Sequence, residues 1–263
     1  MPNASHGSFV WYDLLTPDPD AAAAYYAEVV GWKTQLFPTS DVHYTMFVGA
    51  QGPVGGTARP DGAGTRPQWI GNVFVDDVDR AAALAAELGG RVLSPPQDYP
   101  TVGRMAVVVH PQGVPLNLFK PARAMELHDV TRPGEITWNE LVASDHAAAF
   151  DYYRRLFGWT KRRDFDLGAM GNYLIYGPPD SAARDFGGMF TAPAGGPRQP
   201  LWLYYIEVAD LDAAVARARA RGGTLANGPM QVPGGARVAQ LVDPQGVLFA
   251  LHESAPAATA TGR

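Results

Sequence analysis

Asp13 and Glu140 each stand two residues after a tryptophan, in Trp11-Tyr12-Asp13-Leu14 and Trp138-Asn139-Glu140-Leu141. Side chains of an extended strand alternate between faces, so each carboxylate shares a face with its tryptophan. A carboxyl group in a partly apolar cleft has its pKa raised by desolvation, which suits a general acid or base near neutral pH. The indole offers a flat apolar surface for stacking a planar or hydrophobic ligand. His252 follows Ala250 by two residues in the last apolar run, and alternation turns both to one side. Glu140, Asp13 and His252 are therefore the candidate proton-transfer groups. Trp11, Trp138, Asn139, Tyr173, Tyr205, Asn117, Phe119 and Tyr44 are the candidate ligand contacts, a mixture of ring faces and polar tips of the kind small-molecule pockets favour. The competing structural reading has the tryptophans packing in a core and the carboxylates binding strand amides or the repeated Arg104 and Arg237.

Other chemistries find little support. The chain has no cysteine, which removes disulfides, zinc ribbons, iron–sulfur clusters and thiol nucleophiles together. Its six histidines, His6, His43, His110, His128, His146 and His252, are scattered, with no pair at helical ligand spacing. Gly55-Gly56 and Gly187-Gly188 lack the Lys-Ser/Thr ending of a phosphate loop and read as strand glycines that permit close approach. Net charge is −5 and no basic run exceeds a pair, so nucleic acid is not an expected partner. No apolar stretch reaches the roughly 18 residues of a membrane span, and the start has no leader pattern, so the expected location is cytoplasmic.

These residues sit in a repeated frame. Gly7, Trp11, Tyr25-Tyr26 and Gly31-Trp32 recur as Gly134, Trp138, Tyr152-Tyr153 and Gly158-Trp159, at an offset of 127. Trp69, Gly89-Gly90, Arg104 and Pro111-Gln112-Gly113 recur as Trp202, Gly222-Gly223, Arg237 and Pro244-Gln245-Gly246, at an offset of 133. Such ordered matches indicate a duplication: a first domain over 7–121, a linker over 122–133, a second domain over 134–253 and a flexible tail over 254–263.

Each half divides again. Val10 to Leu15 reads as a strand, Asp18-Pro19 as a helix start, and Ala22, Tyr25, Tyr26, Val29 and Val30 as one helical face stopped by Gly31. Tyr44 to Val48 and Val54 to Ala58 read as strands. The plan returns in Trp69 to Val75, the helix Val78 to Leu88, and strands Met105 to Val109 and Leu116 to Phe119, and the second half repeats it. A βαβββ module cannot bury both faces of its own sheet, so two must join edge to edge. The expected fold is α+β, two tandem domains of two βαβββ modules each, curved into half-open barrels with helices outside.

With the modules placed, the sequence resembles the vicinal-oxygen-chelate superfamily of glyoxalases, extradiol dioxygenases and bleomycin-resistance proteins, and within it the tandem glyoxalase-like group. The resemblance rests on the Trp-x-(Asp/Glu)-Leu strands, on Asp18 and Asp145 before Tyr-Tyr and Gly-Trp, on Val75-Asp76-Asp77-Val78 and on Asp243-Pro244-Gln245-Gly246. It implies His, Gln or Glu metal ligands on first and last strands of the modules. Here those positions hold Trp11, Trp138, Ile70, Leu203, Asn117 and Ala250, so no metal ligand set and no cofactor is expected.

The leading expectation is an enzyme that transforms a small organic molecule, aromatic or polyketide-like, by metal-independent acid–base chemistry. One alternative is a non-catalytic drug- or metabolite-binding protein; the other is a divalent-metal-dependent lyase, isomerase or dioxygenase. The second half, with its fuller polar and aromatic set, is the preferred site. The expected state is a monomer or homodimer.

Overall fold

A computed structural model describes residues 3–37, 43–60, 66–168, 171–180, 183–193, 195 and 199–255; the tail beyond 255 lies outside the described residues. The first half contains β1 (Phe9–Leu15), α1 (Pro19–Val30), β2 (Lys33–Leu36), β3 (Tyr44–Gly49) and β4 (Gly52–Ala58), then β5 (Gln68–Phe74), α2 (Val78–Glu87), β6 (Arg91–Tyr99), β7 (Gly103–Val109) and β8 (Pro115–Pro121). The second half repeats this order as β9 (Ile136–Ala143), α3 (His146–Phe157), β10 (Thr160–Asp166), β11 (Asn172–Gly177) and β12 (Gly187–Thr191), then β13 (Leu201–Glu207), α4 (Leu211–Ala220), β14 (Thr224–Gln231), β15 (Arg237–Val242) and β16 (Leu248–Glu253).

Local chemistry sets the helix ends. Asp18, Asp77, Asp145 and Asp210 each cap a helix by accepting from backbone N–H groups of the first turn, such as Ala21 N at 3.1 Å and Ala147 N at 3.0 Å. Helices α1 and α3 stop at Gly31 and Gly158, whose φ values of 90° and 72° are left-handed.

The strands form two eight-stranded mixed sheets, β2-β3-β4-β1-β5-β8-β7-β6 and β10-β11-β12-β9-β13-β16-β15-β14. Strands β5 and β8 pair in parallel, as do β13 and β16, while the outer strands are antiparallel. Four strands follow no apolar alternation: β2 and β6 are almost wholly exposed, and β10 and β14 nearly so, all at sheet edges. In β6 the ladder slips between Ser94 and Gln97, at Pro95-Pro96, where proline has no N–H to pair.

Compactness does not follow the halves. One unit comprises Met1–Leu14, Trp69–His128 and Trp138–Tyr204; the other comprises Leu15–Gln68, Asp129–Thr137 and Tyr205–Arg263. Each therefore joins the second module of one half with the first module of the other. In the first unit, Trp159 stands 4.6 Å from Tyr176 and 5.5 Å from Phe9, and its Nε1 donates to Gly7 O at 2.8 Å. In the second unit, Trp32 lies 4.8 Å from Phe47 and donates to Gly134 O at 2.7 Å, while Tyr26 meets Phe249 at 5.1 Å.

The repeated Pro-Gln-Gly turns clasp the helix starts of these same pairings. Gln112 accepts from Ser144 N at 2.8 Å and donates to Asp145 O at 2.7 Å; Gln245 accepts from Asp18 N and donates to Asp18 O, both at 2.8 Å. Part of the expected linker is also tied down, since Gln51 exchanges hydrogen bonds with the Asp129 backbone at 3.0 and 3.1 Å.

Candidate functional site

In the second half, β9 pairs with β12 so that Glu140 faces Gly188, and β12 pairs with β11 so that Gly188 faces Ile175 and Phe190 faces Tyr173. Paired residues share a face, which places Glu140, Gly188, Tyr173 and Phe190 together, with Trp138 two residues along β9. Trp138 Nε1 donates to Tyr173 Oη at 2.9 Å, and Tyr173 donates to Glu140 Oε2 at 2.7 Å. Gly188 makes this possible: a Cβ there would lie 2.1 Å from the Tyr173 ring, so only glycine lets the phenol cross β12. Glu140 is buried, whereas Trp138 and Tyr173 are half-buried, and the Tyr173 and Phe190 rings stack at 5.8 Å. Asn139, lying between Trp138 and Glu140, turns to the opposite face. It is buried there, accepting from Tyr12 Oη at 2.9 Å and donating to Phe186 O at 2.9 Å, and does not join the cluster.

The first half brings a different set together. Asp13 Oδ2 accepts from Asn72 Nδ2 at 2.8 Å and from Asn117 Nδ2 at 3.1 Å, and the two asparagines face each other across β5 and β8. Asn72 Nδ2 also reaches Trp11 O at 3.3 Å, and the Trp11 side chain is half-buried. Asn72 is fully buried and went unnoticed in the sequence, although an amide inside an otherwise apolar strand was the available signal. Phe119 is buried two residues beyond Asn117.

On β13 and β16 the register pairs Tyr205 with Ala250 and Glu207 with His252. Phe249 meets Tyr25 and Tyr26 of α1, so alternation turns Ala250 and His252 to the face away from that helix. There Gln240 donates to Tyr205 Oη at 3.0 Å, and His252 Nδ1 lies 2.5 Å from Glu207 Oε2. Glu207 and Gln240 were not foreseen, because their partners stand 45 and 35 residues away in sequence. Tyr44 lies over Gly56 as Tyr173 lies over Gly188, with a Cβ on Gly56 meeting its ring at 2.4 Å.

Burial governs the interior titratable groups. It pushes the phenols of Tyr176 and Tyr204 well above their ordinary range, and the Gly71 N–H donating to Tyr204 Oη at 2.7 Å partly opposes this. His110, buried against Tyr152 and Tyr153, is pushed down to about 4, while burial raises Asp243, its counterpart in the other half.

The donor sets do not fit a divalent metal. Asp13 faces two amide N–H groups, Glu140 faces a phenol that donates to it, and no three His, Asp or Glu side chains converge among the described residues. No helix among those residues is long and apolar enough to cross a membrane.

A family model described as Glyoxalase/Bleomycin resistance protein/Dioxygenase superfamily matches residues 8–118 and 134–251. The chain belongs to this superfamily. Each half carries one copy of the superfamily's unit, which accounts for the two equivalent sheets. CFP32 of Mycobacterium tuberculosis, which carries the name glyoxylase, is 30% identical over 264 residues, covering 97% of this chain and 99% of that protein. DauV of Streptomyces sp., named as an anthracycline biosynthesis protein, is 31% identical over 281 residues, covering 98% of both. Among solved structures of the superfamily fold, the Mn(II)-bound glyoxalase of Novosphingobium aromaticivorans matches with a TM-score of 0.64, 18% identity, and coverage of 97% of this chain and 84% of that one. A variant of homoprotocatechuate 2,3-dioxygenase from B. fuscum matches with a TM-score of 0.67, 14% identity, and coverage of 99% and 75%.

Proposed function

We propose that this superfamily member binds a small planar organic molecule and transforms it by acid–base chemistry at the Trp138–Tyr173–Glu140 cluster, without a resident metal. The observation that carries this reading is the directed chain from Trp138 Nε1 through Tyr173 Oη to Glu140 Oε2, built on a buried carboxylate. Glu140 accepts a proton from an acidic C–H or O–H of the ligand, and the Tyr173 hydrogen bond steadies its carboxylate beforehand. Trp138 and Phe190 offer ring faces beside it for an aromatic ligand. The full-length similarity to DauV supports a polycyclic aromatic metabolite as the substrate class.

A second reading, binding without turnover, draws on the first half. There Asp13 is held by two amides, an arrangement that orients polar groups without activating one. A thermal-shift screen of planar aromatic compounds, anthracycline-type quinones included, tests the proposal. A true ligand at one hundred times its Kd stabilises the fold by about 2.7 kcal/mol. Mass spectrometry of the recovered ligand then decides: a changed mass or isomer supports catalysis, an unchanged compound supports sequestration, and no shift from any planar aromatic defeats both.

A further inference from the structure

At one register position the two halves hold chemically opposite pairs. Phe74 faces Phe119 across β5 and β8, whereas Glu207 faces His252 across β13 and β16. The phenylalanines show that this register position accepts apolar side chains, Phe119 being buried and Phe74 half-buried. A carboxylate and its hydrogen-bonded partner taken out of water gain little stability over a well-packed apolar pair, because desolvation offsets the attraction. Glu207 is nevertheless 3% exposed, and both its oxygens are engaged: Oε2 with His252 Nδ1 at 2.5 Å, and Oε1 accepting from Ser254 N at 2.9 Å. Its backbone is fixed too, exchanging hydrogen bonds with Gly134 N and Glu135 O at 2.8 Å.

We infer that Glu207 and His252 form a proton-accepting dyad, His252 being the group that meets a bound ligand and Glu207 the residue that positions it. A carboxylate only accepts, so Nδ1 carries a proton, and in the neutral imidazole Nε2 then keeps its lone pair. Nε2 has no hydrogen-bond partner among the described residues, and the side chain keeps 17% of its surface open. In the step itself, the X–H bond of an acidic ligand breaks and its electron pair stays on the ligand. The proton bonds to Nε2, and Glu207 offsets the positive charge of the resulting imidazolium. The proton then returns to another ligand atom or to water. Ser254, Tyr205 and Gln240 are the neighbouring polar groups on this side, and no second cation competes with the imidazolium among them.

The inference rests on the small-molecule reading above, but its test needs no ligand. Diethyl pyrocarbonate acylates unprotonated imidazole nitrogen, and peptide mapping reports each histidine separately. At neutral pH, His252 of the intact chain is expected to react at least as fast as Nα-acetylhistidine in the same tube, despite its low exposure. Glu207→Gln is expected to slow His252 at least fivefold and leave exposed His43 unchanged, with Glu207→Asp recovering part of the rate. Should Glu207→Gln fail to fold, the wild-type comparison still decides. A His252 that reacts several-fold more slowly than the free amino acid, in keeping with 17% exposure, overturns the dyad while leaving the Glu140 reading untouched.

Discussion

The helix-side faces of the two halves are near copies, whereas on the opposite faces β5 and β8 have parted from β13 and β16. Tyr25, Tyr26 and Trp32 are matched by Tyr152, Tyr153 and Trp159, all buried, and each tryptophan donates to an equivalent glycine, Gly134 or Gly7. On the other face, Asn72 and Asn117 correspond to Tyr205 and Ala250, and Phe74 and Phe119 to Glu207 and His252. Close packing explains the first behaviour, since a core changed by even one methylene is felt. The second face is buried as well, at Asn72, Asn117, Tyr205, Glu207 and Ala250, yet its residues differ between the halves.

If the cores are truly equivalent, Trp32→Ala and Trp159→Ala should each cost about 3–5 kcal/mol by urea unfolding, since each removes a buried indole and strands a carbonyl. A large inequality would break the comparison at its root. On the diverged face, Glu140→Gln should lower turnover of an identified substrate by about 10²–10⁴, as loss of a positioned acid or base does. Asp13→Asn should change it far less, and equal losses would make the two carboxylates one machine.

A third test uses pH, because His110 stands where the other half has Asp243. Burial holds His110 down at about 4, against an unfolded value near 6.5. The unfolded chain therefore binds the extra proton in this window. Stability is complete above about pH 6.5 and falls as pH drops toward 4, by about 1–3 kcal/mol. Urea unfolding at several pH values should show this slope, and His110→Asn should flatten it. The smallest effect is expected from replacing the ion pair by its counterpart, Glu207→Phe with His252→Phe. The unfolding free energy should stay within about 1 kcal/mol of wild type, because the other half holds phenylalanines at this register; a collapse would make the pair structural.

The repeat, the four helices and the shared face of Trp138 and Glu140 were legible in the residues because they depend on local period and capping. The edge strands were not: β2 and β6 are exposed on both sides and leave no alternation to read. The separation of Asn139 from that cluster was legible too, since a residue between Trp138 and Glu140 must face the other way. Glu207, Gln240 and Asn72 depend on registers between distant strands, which one-dimensional pattern does not encode. The partnership of modules across halves was equally hidden, although the two glutamines that clasp it were visible as a repeat.

Those clasps have an evolutionary consequence. Gln112 of the first half holds Asp145 of the second, and Gln245 of the second holds Asp18 of the first. Each clasp thus ties one half to the other through an equivalent glutamine and aspartate. In contact terms, the chain builds each compact unit from parts of both halves. Severed between Arg123 and Thr131, it should yield not two free-standing proteins but two fragments that complement each other. Surfaces outside the clasps are at liberty to drift apart, while the joining surfaces must co-evolve.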